Sequence, residues 1–450
     1  MKRVVVVGGG LAGIAAALDC ARGGASVTLL ESRGRLGGAA YSFVRDGIVA
    51  DNGQHVFLRC CTAYRELLEE LGASDLMALQ PRLEIPVLAP GGKRAWLRRS
   101  GLPAPLHLAG SLMRYGFLDL RQRYSLAQAM LALRDVDPDD PAADERSFGE
   151  WLAEHGQDEE AIEAIWDLIA RPTLNLLAGE ASLAQAAYVF QEGLLSDPAA
   201  GDVGYARVPL GEIHDVAARR ALASAGAEVR MRTGAAAVVP ENGGFHVEIS
   251  GAPTLTAEAV IVAVPHHRAT RLLPAGSGVD CSGLIGLGTS PIVNLHVVYD
   301  RRVLELPFAA GVHTPVQWVF DRTQGAGLEQ GQYLAVSLSA ADAELDMTGE
   351  ELRARFLPAL AELLPSAREA RVENFFVTRE HAATFRAAPG ARALRPGPRT
   401  AIPGLVLAGT WTDTGWPATM ESAVRSGRAA AREAMTTTMP KGEPRTAVAA

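Results

Sequence analysis

The stretch "VVVVGGGLAG", residues 4–13, decides the fold. An apolar run that stops at glycines and continues into a small-residue helical pattern is typical of a parallel strand that turns directly into a helix. The glycines have the spacing GxGxxG, which permits a tight turn, a close approach of the backbone to a pyrophosphate, and close packing of helix on strand. The N-terminus of that helix supplies partial positive charge to a phosphate group. The residues of this turn that we expect to contact a dinucleotide are Gly8, Gly10, Leu11, Ala12 and Gly13.

The next apolar run ends in an acidic residue at the distance expected for a dinucleotide site. Glu31 follows Gly13 by 18 residues and stands at the end of "SVTLLE", residues 26–31. A carboxylate at the end of a second strand can accept hydrogen bonds from ribose hydroxyls. Strand, glycine turn, helix, strand and acid therefore occur in the order that predicts a Rossmann-like dinucleotide-binding domain.

The composition is that of a globular protein with a large core. The chain has 450 residues, of which 48% are apolar and 21% charged, so neither disorder nor a membrane-spanning architecture is indicated. The formal charge of −8 gives no basic footprint, and we expect no nucleic-acid partner. The four cysteines have the spacing of neither a disulfide framework nor a zinc site, which predicts a cytoplasmic protein without a metal centre.

Segments of the nucleotide-binding kind occur at both ends of the chain and in its middle. Between them stand helical segments rich in Leu, Ala and charged residues, and β-rich runs such as "IVNLHVVY", residues 292–299. This alternation predicts an α/β fold in which a Rossmann-like domain is interleaved with a mixed α+β domain. The expected boundaries are residues 1–75, 205–270 and 395–435 for the first domain, residues 76–204 and 271–394 for the second, and residues 436–450 for a disordered tail.

A second strand–glycine–helix unit closes the chain, at "LVLAGTWTDTGWPATMESAVRSG", residues 405–427. Together with "ESRGRLGGAAYS", residues 31–42, it resembles the flavin-dependent amine oxidase and phytoene desaturase superfamily. That resemblance implies an FAD-binding domain and a substrate-binding domain, with the closing helix directed at the flavin ring, where its N-terminus can stabilise negative charge. No cysteine stands in the loop through which some relatives hold flavin covalently, so we expect dissociable, non-covalent FAD.

The resemblance also assigns cofactor contacts residue by residue. Two superfamily positions differ in this chain: Ala39 replaces the arginine that follows the glycine pair, and Thr410 replaces the acid that follows the strand glycine. The first replacement removes one contact to phosphate or flavin. Beyond the first glycine turn, the implied contacts are Glu31, Ser32, Arg33, Gly37, Gly38, Gln54, His55, Ala235, Gly409, Thr410, Thr419 and Met420.

A narrower resemblance begins at "DNGQHV", residues 51–56, and includes "RPTLN", residues 171–175. With the closing unit, these stretches are similar to bacterial hydroxysqualene dehydroxylases, flavoenzymes of squalene and hopanoid synthesis. The resemblance implies that an allylic hydroxyl of a C30 isoprenoid leaves as water and is replaced by hydride from reduced FAD. An unidentified electron donor then reduces the FAD again. An allylic cation needs a dry apolar tunnel, and the hydroxyl needs one proton donor.

His55 is the leading candidate for that proton donor. Its unperturbed pKa of about 6.5 suits proton delivery at neutral pH. An equal alternative is a loop histidine that bonds the backbone and holds its loop against the flavin. Asp413 is a second catalytic candidate, three residues after Thr410. Glu421 is expected to serve the start of the closing helix instead.

The segment "LPAPLHLAGSLMRYGFLDLRQR", residues 102–123, is apolar with flanking arginines. It either dips into a membrane surface, as interfacial segments of this composition do, or packs within the substrate-binding domain, as most apolar helices do. The first alternative would add peripheral contact with the inner face of the cell membrane to the cytoplasmic location.

Three other functions stay open at this point. A carotenoid-type desaturase would use the same fold with oxidised FAD and a polyene substrate. An amine oxidase would need an aromatic cage and a lysine near the flavin; Trp411 and Trp416 offer aromatic rings, but lysine is nearly absent from the chain. A non-catalytic flavin- or lipid-binding protein is consistent with Ala39 and Thr410, which both replace charged residues of the superfamily.

Overall fold

The computed structural model describes residues 1–437. The predicted disordered tail, residues 436–450, lies outside the described residues except for its first two positions, and Thr436 ends the last helix. In the described part of the chain, no helix is long and apolar enough to cross a membrane.

A five-stranded parallel sheet carries the first glycine turn. Its central strand, Arg3–Val7, is buried from Val4 onwards, and alternate valines enter two different hydrophobic clusters, as expected of a parallel strand that is covered on both faces. The strand of the closing unit, Leu405–Leu407, pairs with Ala259–Val262. In spatial order the strands are Glu228–Met231, Ser26–Glu31, Arg3–Val7, Ala259–Val262 and Leu405–Leu407.

The first helix and the last described helix lie side by side on this sheet. Leu11–Arg22 packs against Met420–Thr436 along its length. A Cβ at Gly427 would collide with the carbonyl oxygen of Ala12, so glycine is what permits this approach of the two backbones. The two strand–glycine–helix units, distant in sequence, are therefore packed directly against each other.

A seven-stranded, largely antiparallel sheet forms the second part of the core. Its strand Ser290–Tyr299 pairs with both neighbours over most of its length. The helix Gly349–Leu363 packs on this sheet with buried leucine and phenylalanine side chains. Helices between residues 120 and 190 share a hydrophobic cluster with the strand Glu84–Ala89. In spatial order the strands are Val372–Thr384, Ser290–Tyr299, Gln332–Ser339, Trp318–Asp321, Phe308–Gly311, Glu84–Ala89 and Lys93–Arg98.

Smaller sheets and further helices complete the described chain. The smaller sheets comprise Ala235–Glu241, Gly244–Ile249 and Ala252–Ala257; Ser42–Arg45 and Ile48–Asp51; and Val56–Leu58, Val203–Ala206 and Met77–Leu79. The α-helices are Leu11–Arg22, Thr62–Glu70, Ala109–Leu112, Leu120–Leu133, Pro141–Glu145, Phe148–Glu154, Glu159–Ala161, Asp167–Leu174, Leu183–Phe190, Ala218–Ser224, His266–Leu272, Cys281–Gly286, Thr323–Ala326, Asp342–Leu345, Gly349–Leu363 and Met420–Thr436. Three π-helical turns adjoin four of these helices, at Ile162–Trp166, Gln191–Leu195 and Glu212–Ala217.

The predicted α/β class with a Rossmann-like domain is confirmed. The parallel sheet takes its strands from the three ranges predicted for the first domain, and the seven-stranded sheet takes its strands from the ranges predicted for the second. The boundaries themselves stay predictions, because the small sheet of Val56–Leu58, Met77–Leu79 and Val203–Ala206 contains residues from both proposed domains.

Candidate functional site

One large cavity reaches from the first glycine turn to the start of the last helix. Its volume is about 1130 Å³, which exceeds the roughly 300–1,000 Å³ of a typical small-molecule site. The lining includes Gly8 and Gly10 from the N-terminal turn as well as Thr419 and Met420 from the closing unit. A cavity of this volume has room for an extended dinucleotide and a second ligand.

The carboxylate of Glu31 organises the nucleotide end of this cavity. Its oxygens accept hydrogen bonds from the backbone N–H groups of Gly9, at 2.8 Å, and Arg33, at 2.7 Å. The hydroxyl of Ser32 also donates to it, at 3.2 Å. These bonds hold the glycine turn against the end of the second strand. Glu31, Ser32, Arg33 and Ala235, all predicted contacts, line the cavity together.

The two glycine turns touch each other and leave a cradle that side chains would fill. Gly38 has φ +59°, and a Cβ there would lie 2.8 Å from the Cα of Gly10. The N–H of Gly37 donates to the carbonyl oxygen of Gly9 at 2.9 Å, which ties the second turn to the first. The first residues of the helix Leu11–Arg22 line the same space, so backbone geometry and helix N-terminus together fit a pyrophosphate.

Arg35 lines the cavity beside this cradle, although the sequence patterns do not assign it a contact. Its guanidinium donates to the carbonyl oxygen of Gly38 at 3.2 Å and covers the ring of Tyr41, with 3.2 Å between the guanidinium carbon and the ring centroid. Burial, and then the positive charge of Arg33, lower the pKa of Arg35. Arg35 is thus a candidate for the phosphate contact that Ala39 cannot make, and its place two residues before the glycine pair is the signal that could have indicated it.

At the other end of the cavity, the closing unit turns sharply before its helix. Gly409 has φ +139°, and a Cβ there would lie 2.5 Å from the Nε1 of Trp411. That indole N–H donates to the carbonyl oxygen of Val264 at 2.8 Å, which fixes the loop. The hydroxyl of Thr419 caps the helix by accepting a hydrogen bond from the N–H of Ser422 at 3.2 Å. The predicted contacts of this unit that line the cavity are Gly409, Thr410, Thr419 and Met420.

Glu421 has a structural role that the sequence pattern does not reveal. Its carboxylate is buried and accepts hydrogen bonds from the N–H groups of Ala63, at 3.0 Å, and Tyr64, at 2.7 Å. These groups belong to the first turn of the helix Thr62–Glu70. The side chain of its N-cap residue, Cys61, makes no capping hydrogen bond. Arg425 donates to the same carboxylate at 2.6 Å. Glu421 therefore caps a neighbouring helix and joins it to the closing helix.

His55 stands between the large cavity and a smaller polar pocket, and it lines both. The smaller pocket is also lined by Asp51, Asp321 and Arg322. Burial lowers the pKa of His55 below its ordinary value, and the carboxylates of Asp51 and Glu380 partly oppose that effect. An imidazole at a cavity wall with polar groups behind it can give a proton to a ligand and take one up from the other side.

Two further polar groups face the cavity near this loop. Gln54, a predicted cofactor contact, lines the cavity, and its buried amide nitrogen has no hydrogen-bond partner within residues 1–437. A buried donor without a partner costs about 1–3 kcal/mol, so this nitrogen fits an acceptor on a bound ligand. Glu380 also lines the cavity and accepts a hydrogen bond from the side chain of Asn52 at 2.9 Å. No pattern in the sequence indicated Glu380, because its strand joins the site only through the tertiary fold.

The structure places Asp413, a predicted catalytic residue, outside the cavity. Its carboxylate lies 3.8 Å from the Nε of Arg392, and Asp413 is absent from the cavity lining. The preceding residue takes the inward position: the hydroxyl of Thr412 bonds the carbonyl oxygen of Gly409 and the hydroxyl of Ser426. Because Thr412 is buried by these contacts, Asp413 is left half-buried, in an ion pair with Arg392.

The rest of the cavity is lined mainly by apolar side chains. They come from the helical region between residues 108 and 194 and from the seven-stranded sheet. Such a lining disfavours water, as a long hydrocarbon ligand and a cationic carbon both require. Representative lining residues are Ile85, Leu108, Met130, Leu168, Ile169, Phe308, Trp318 and Phe320.

Known sequences agree with this geometry. The family model described as "Flavin containing amine oxidoreductase" matches residues 11–435. The chain is 30% identical to the hydroxysqualene dehydroxylase of Rhodopseudomonas palustris, over 96% of this chain and 97% of that protein. It is 24% identical to the zeta-carotene desaturase of Zea mays, over 95% of this chain and 82% of that protein.

A solved structure has the same fold. A putrescine oxidase bound to putrescine superposes with a TM-score of 0.70 at 21% identity, and the match covers 96% of this chain and 99% of that one. A likeness at this level of identity concerns the fold and not the substrate. Family model, relatives and fold each cover nearly the whole chain.

Proposed function

This chain belongs to the flavin containing amine oxidoreductases, and from that premise we propose that it reductively dehydroxylates hydroxysqualene to squalene. Membership makes the protein a flavin-dependent oxidoreductase. The proposed cofactor is FAD held without a covalent bond, and the proposed location is the cytoplasm. The relative from Rhodopseudomonas palustris supports the choice of reaction, because the similarity to it extends over 96% of the chain.

The arrangement of donors and acceptors along the cavity supports FAD as the cofactor. Glu31 stands where ribose hydroxyls can donate to it, and the cradle of Gly10 and Gly38 has space for a pyrophosphate. The helix that Thr419 caps directs its positive end to the far part of the same cavity. The amide nitrogen of Gln54, which has no hydrogen-bond partner among the described residues, adds a donor to the same cavity. One continuous space that contains all of these groups favours one extended ligand.

The proposed reaction exchanges a C–O bond for a C–H bond. The allylic hydroxyl oxygen takes a proton, the C–O bond breaks with its electron pair on oxygen, and water leaves. Reduced FAD, when bound, supplies the hydride that the carbon then needs. The chain keeps water from the cationic carbon with apolar side chains such as Leu168 and Phe320, which carry no nucleophilic atom.

His55 is the proposed proton donor. Its imidazole lines the large cavity, where it can reach a ligand, and also lines the pocket of Asp51 and Arg322. Those groups offer a polar route by which the imidazole regains its proton after each turnover. The single observation that carries the proposed function is the cavity itself, which joins a dinucleotide cradle to a long apolar space.

Anaerobic single turnover tests the proposal. Photoreduced, FAD-loaded protein is mixed with hydroxysqualene, and the products are separated by chromatography. We expect squalene and oxidised flavin in equal amounts, because each hydride transferred oxidises one flavin. The same mixture with oxidised protein should give no squalene. If the flavin stays reduced and no hydrocarbon forms, the substrate and reaction are wrong, while the family membership stands.

A second candidate is desaturation of a polyene. It is favoured by the similarity to the zeta-carotene desaturase of Zea mays and by an apolar space suited to a long hydrocarbon. This reaction runs in the opposite direction, since hydride passes from the substrate to oxidised flavin. Oxidised, FAD-loaded protein incubated with phytoene or zeta-carotene should then produce a longer conjugated chromophore, which a dehydroxylase would not.

A further inference from the structure

Residues 94–134 form a surface that combines exposed apolar side chains with positive charge. This segment contains seven arginines and one acidic residue, Asp119, which gives it a formal charge of +6 in a chain whose total is −8. Its large apolar side chains that face outward form what we call the exposed apolar surface. They are Leu102, Leu106, Met113, Leu120, Tyr124 and Leu131.

The exposed apolar surface is a concentrated feature and not a scatter of single residues. In the helix Leu120–Leu133, the exposed residues Leu120, Tyr124 and Leu131 stand at intervals of four and seven, so they share one face. Leu120 is 81% and Tyr124 67% exposed, while the opposite face of the helix is buried in the core. Grouped apolar exposure of this kind marks an interaction site.

Hydrogen bonds hold the parts of this surface in one piece. The N–H of Arg98 donates to the hydroxyl of Ser111 at 2.9 Å, which joins the preceding strand to the loop. The guanidinium of Arg123 donates to the carbonyl oxygens of Met113, at 2.6 Å, and Leu118, at 2.9 Å. Loop and helix therefore present their apolar side chains as an ordered surface.

The inner side of the same segment lines the large cavity. Leu108, Leu112 and Met130 contribute to that lining, and Met130 is the immediate neighbour of the exposed Leu131. The segment is therefore a wall with the apolar cavity on one side and the exposed apolar surface on the other.

We propose that this surface docks on an anionic lipid bilayer, with the exposed apolar surface among the acyl chains and the arginines at the level of the phosphates. Arg114, Arg121 and Arg134 are exposed beside the apolar side chains. Apolar groups flanked by arginines are what interfacial segments present to anionic lipid. Because the rest of the chain carries net negative charge, attraction to anionic lipid favours the orientation in which this segment faces the membrane. Uptake of an apolar substrate through this wall is a consequence that rests on the proposed function, whereas docking does not.

Flotation of the full-length, FAD-loaded protein with lipid vesicles tests the docking. We expect the protein to float with vesicles of phosphatidylglycerol and phosphatidylcholine, and to float much less with phosphatidylcholine alone. High salt should weaken the binding, because it screens the arginine–phosphate attraction. Equal binding to both vesicle types, or binding to neither, overturns the proposal. Since no turnover is measured, failure here leaves the dehydroxylation test unaffected.

A charge variant separates the contribution of the arginines. Arg114→Gln, Arg121→Gln and Arg134→Gln together should weaken binding to the anionic vesicles about a hundredfold. Flavin absorbance and thermal unfolding should stay as in the wild type, because all three side chains are exposed. The matched control removes three exposed arginines elsewhere, Arg207, Arg220 and Arg432. An equal loss of binding in the control would overturn the assignment of this surface.

An apolar variant tests the exposed apolar surface itself. Leu120→Ser, Tyr124→Ser and Leu131→Ser together should abolish flotation while leaving the protein folded and yellow. The matched control places serine at three exposed apolar positions outside the segment, Val44, Val216 and Ile285. The control should bind vesicles as the wild type does, and retention of binding by the first variant would contradict the proposal.

Discussion

The carboxylate of Glu421 connects two helices that lie far apart in the sequence. The N–H of Ala63, to which it bonds, is 358 residues away. Replacing one carboxylate oxygen by an amide group removes the negative charge that pairs with Arg425 and places a donor opposite an N–H group. At the residue scale, the junction between the closing helix and the helix Thr62–Glu70 therefore depends on this side chain.

Glu421→Gln should lower the free energy of unfolding by about 2 kcal/mol, because charged hydrogen bonds to buried N–H groups are lost. Urea unfolding of the FAD-loaded protein measures it. Glu69→Gln is the control, since Glu69 is exposed on the same capped helix, and it should change the free energy of unfolding by less than about 0.5 kcal/mol. Equal stability of the two variants would show that the cap has no energetic importance.

His55→Gln should lower kcat by a factor of about 10²–10⁴, the usual contribution of a general acid. The protonated imidazole is the active form, and burial lowers the pKa of His55. Wild-type kcat should therefore be highest at acid pH and fall as pH rises through a value below about 6.5, whereas the variant should lack this inflection. His381→Gln is the control, since His381 lines the same cavity. An unchanged inflection in the His55 variant would exclude this residue.

Single residues could be predicted where their role follows from the local backbone. The glycines of both turns and Glu31 act within their own strand–turn–helix unit, so their spacing was sufficient. Glu380 and Glu421 act on segments far away in the sequence, and spacing carries no information on such contacts. The position of Asp413 outside the cavity could not be predicted for a related reason: the direction of a loop side chain depends on which neighbour, here Thr412, is taken into the core.

At the scale of elements, the contact of the helices Leu11–Arg22 and Met420–Thr436 holds the two ends of the cavity together. Both helices begin at the cavity, and their backbones approach closely where Gly427 meets Ala12. A shift of one helix moves its N-terminus relative to the other. The distance between the pyrophosphate cradle and the closing loop is therefore set by this packing.

Gly427→Ala should lower the free energy of unfolding by about 1–3 kcal/mol, because the added methyl group collides with a backbone oxygen. FAD binding, followed by quenching of flavin fluorescence, should weaken as well. The control is Gly349→Ala, since a Cβ at Gly349 has no neighbouring atom within 4 Å among the described residues and alanine favours its helix. Tight FAD binding by the Gly427 variant would contradict the idea that helix spacing sets the site.

Elements with strong periodicity could be predicted, since an apolar run before a glycine predicts a buried strand wherever it stands. The pairing of Leu405–Leu407 with Ala259–Val262 could be inferred only through the resemblance to known flavoproteins. The helices between residues 109 and 190 were less predictable, because their apolar residues belong partly to the core, partly to the cavity and partly to the exterior. A segment whose apolar residues face three environments does not show the alternation of one apolar and one polar face from which helical periodicity is recognised.

At the scale of the whole molecule, buried histidines couple stability to pH. Burial, and then the nearby His55, lower the pKa of His214 to about 4, and burial lowers the pKa of His296 to about 3. The folded state thus keeps both imidazoles neutral under conditions in which the unfolded chain, with ordinary values of about 6.5, takes up protons. Below about pH 6.5, protonation of these histidines therefore favours the unfolded state.

The contribution of these two histidines to the free energy of unfolding should be constant above about pH 7 and should fall as pH drops below about 6.5, by up to about 1.4 kcal/mol per pH unit for each histidine. The loss from these groups should end only below about pH 4 and pH 3, respectively. Urea unfolding across this range measures it. His296→Asn should reduce the slope of the free energy of unfolding against pH, whatever the stability of the variant at neutral pH. The control His313→Asn, at an exposed position, should leave that slope unchanged. Identical slopes in all three proteins would contradict this account.

The order of the parallel sheet has a consequence for the chain as it leaves the ribosome. The strand Ala259–Val262 emerges well before Leu405–Leu407, its neighbour at the sheet edge. During that interval the N–H and C=O groups along its outer edge are unpaired. They can then pair with another extended polypeptide, which is a route to misassembly. Chains truncated between these two strands should therefore aggregate, and we expect chaperones to bind nascent chains during this interval.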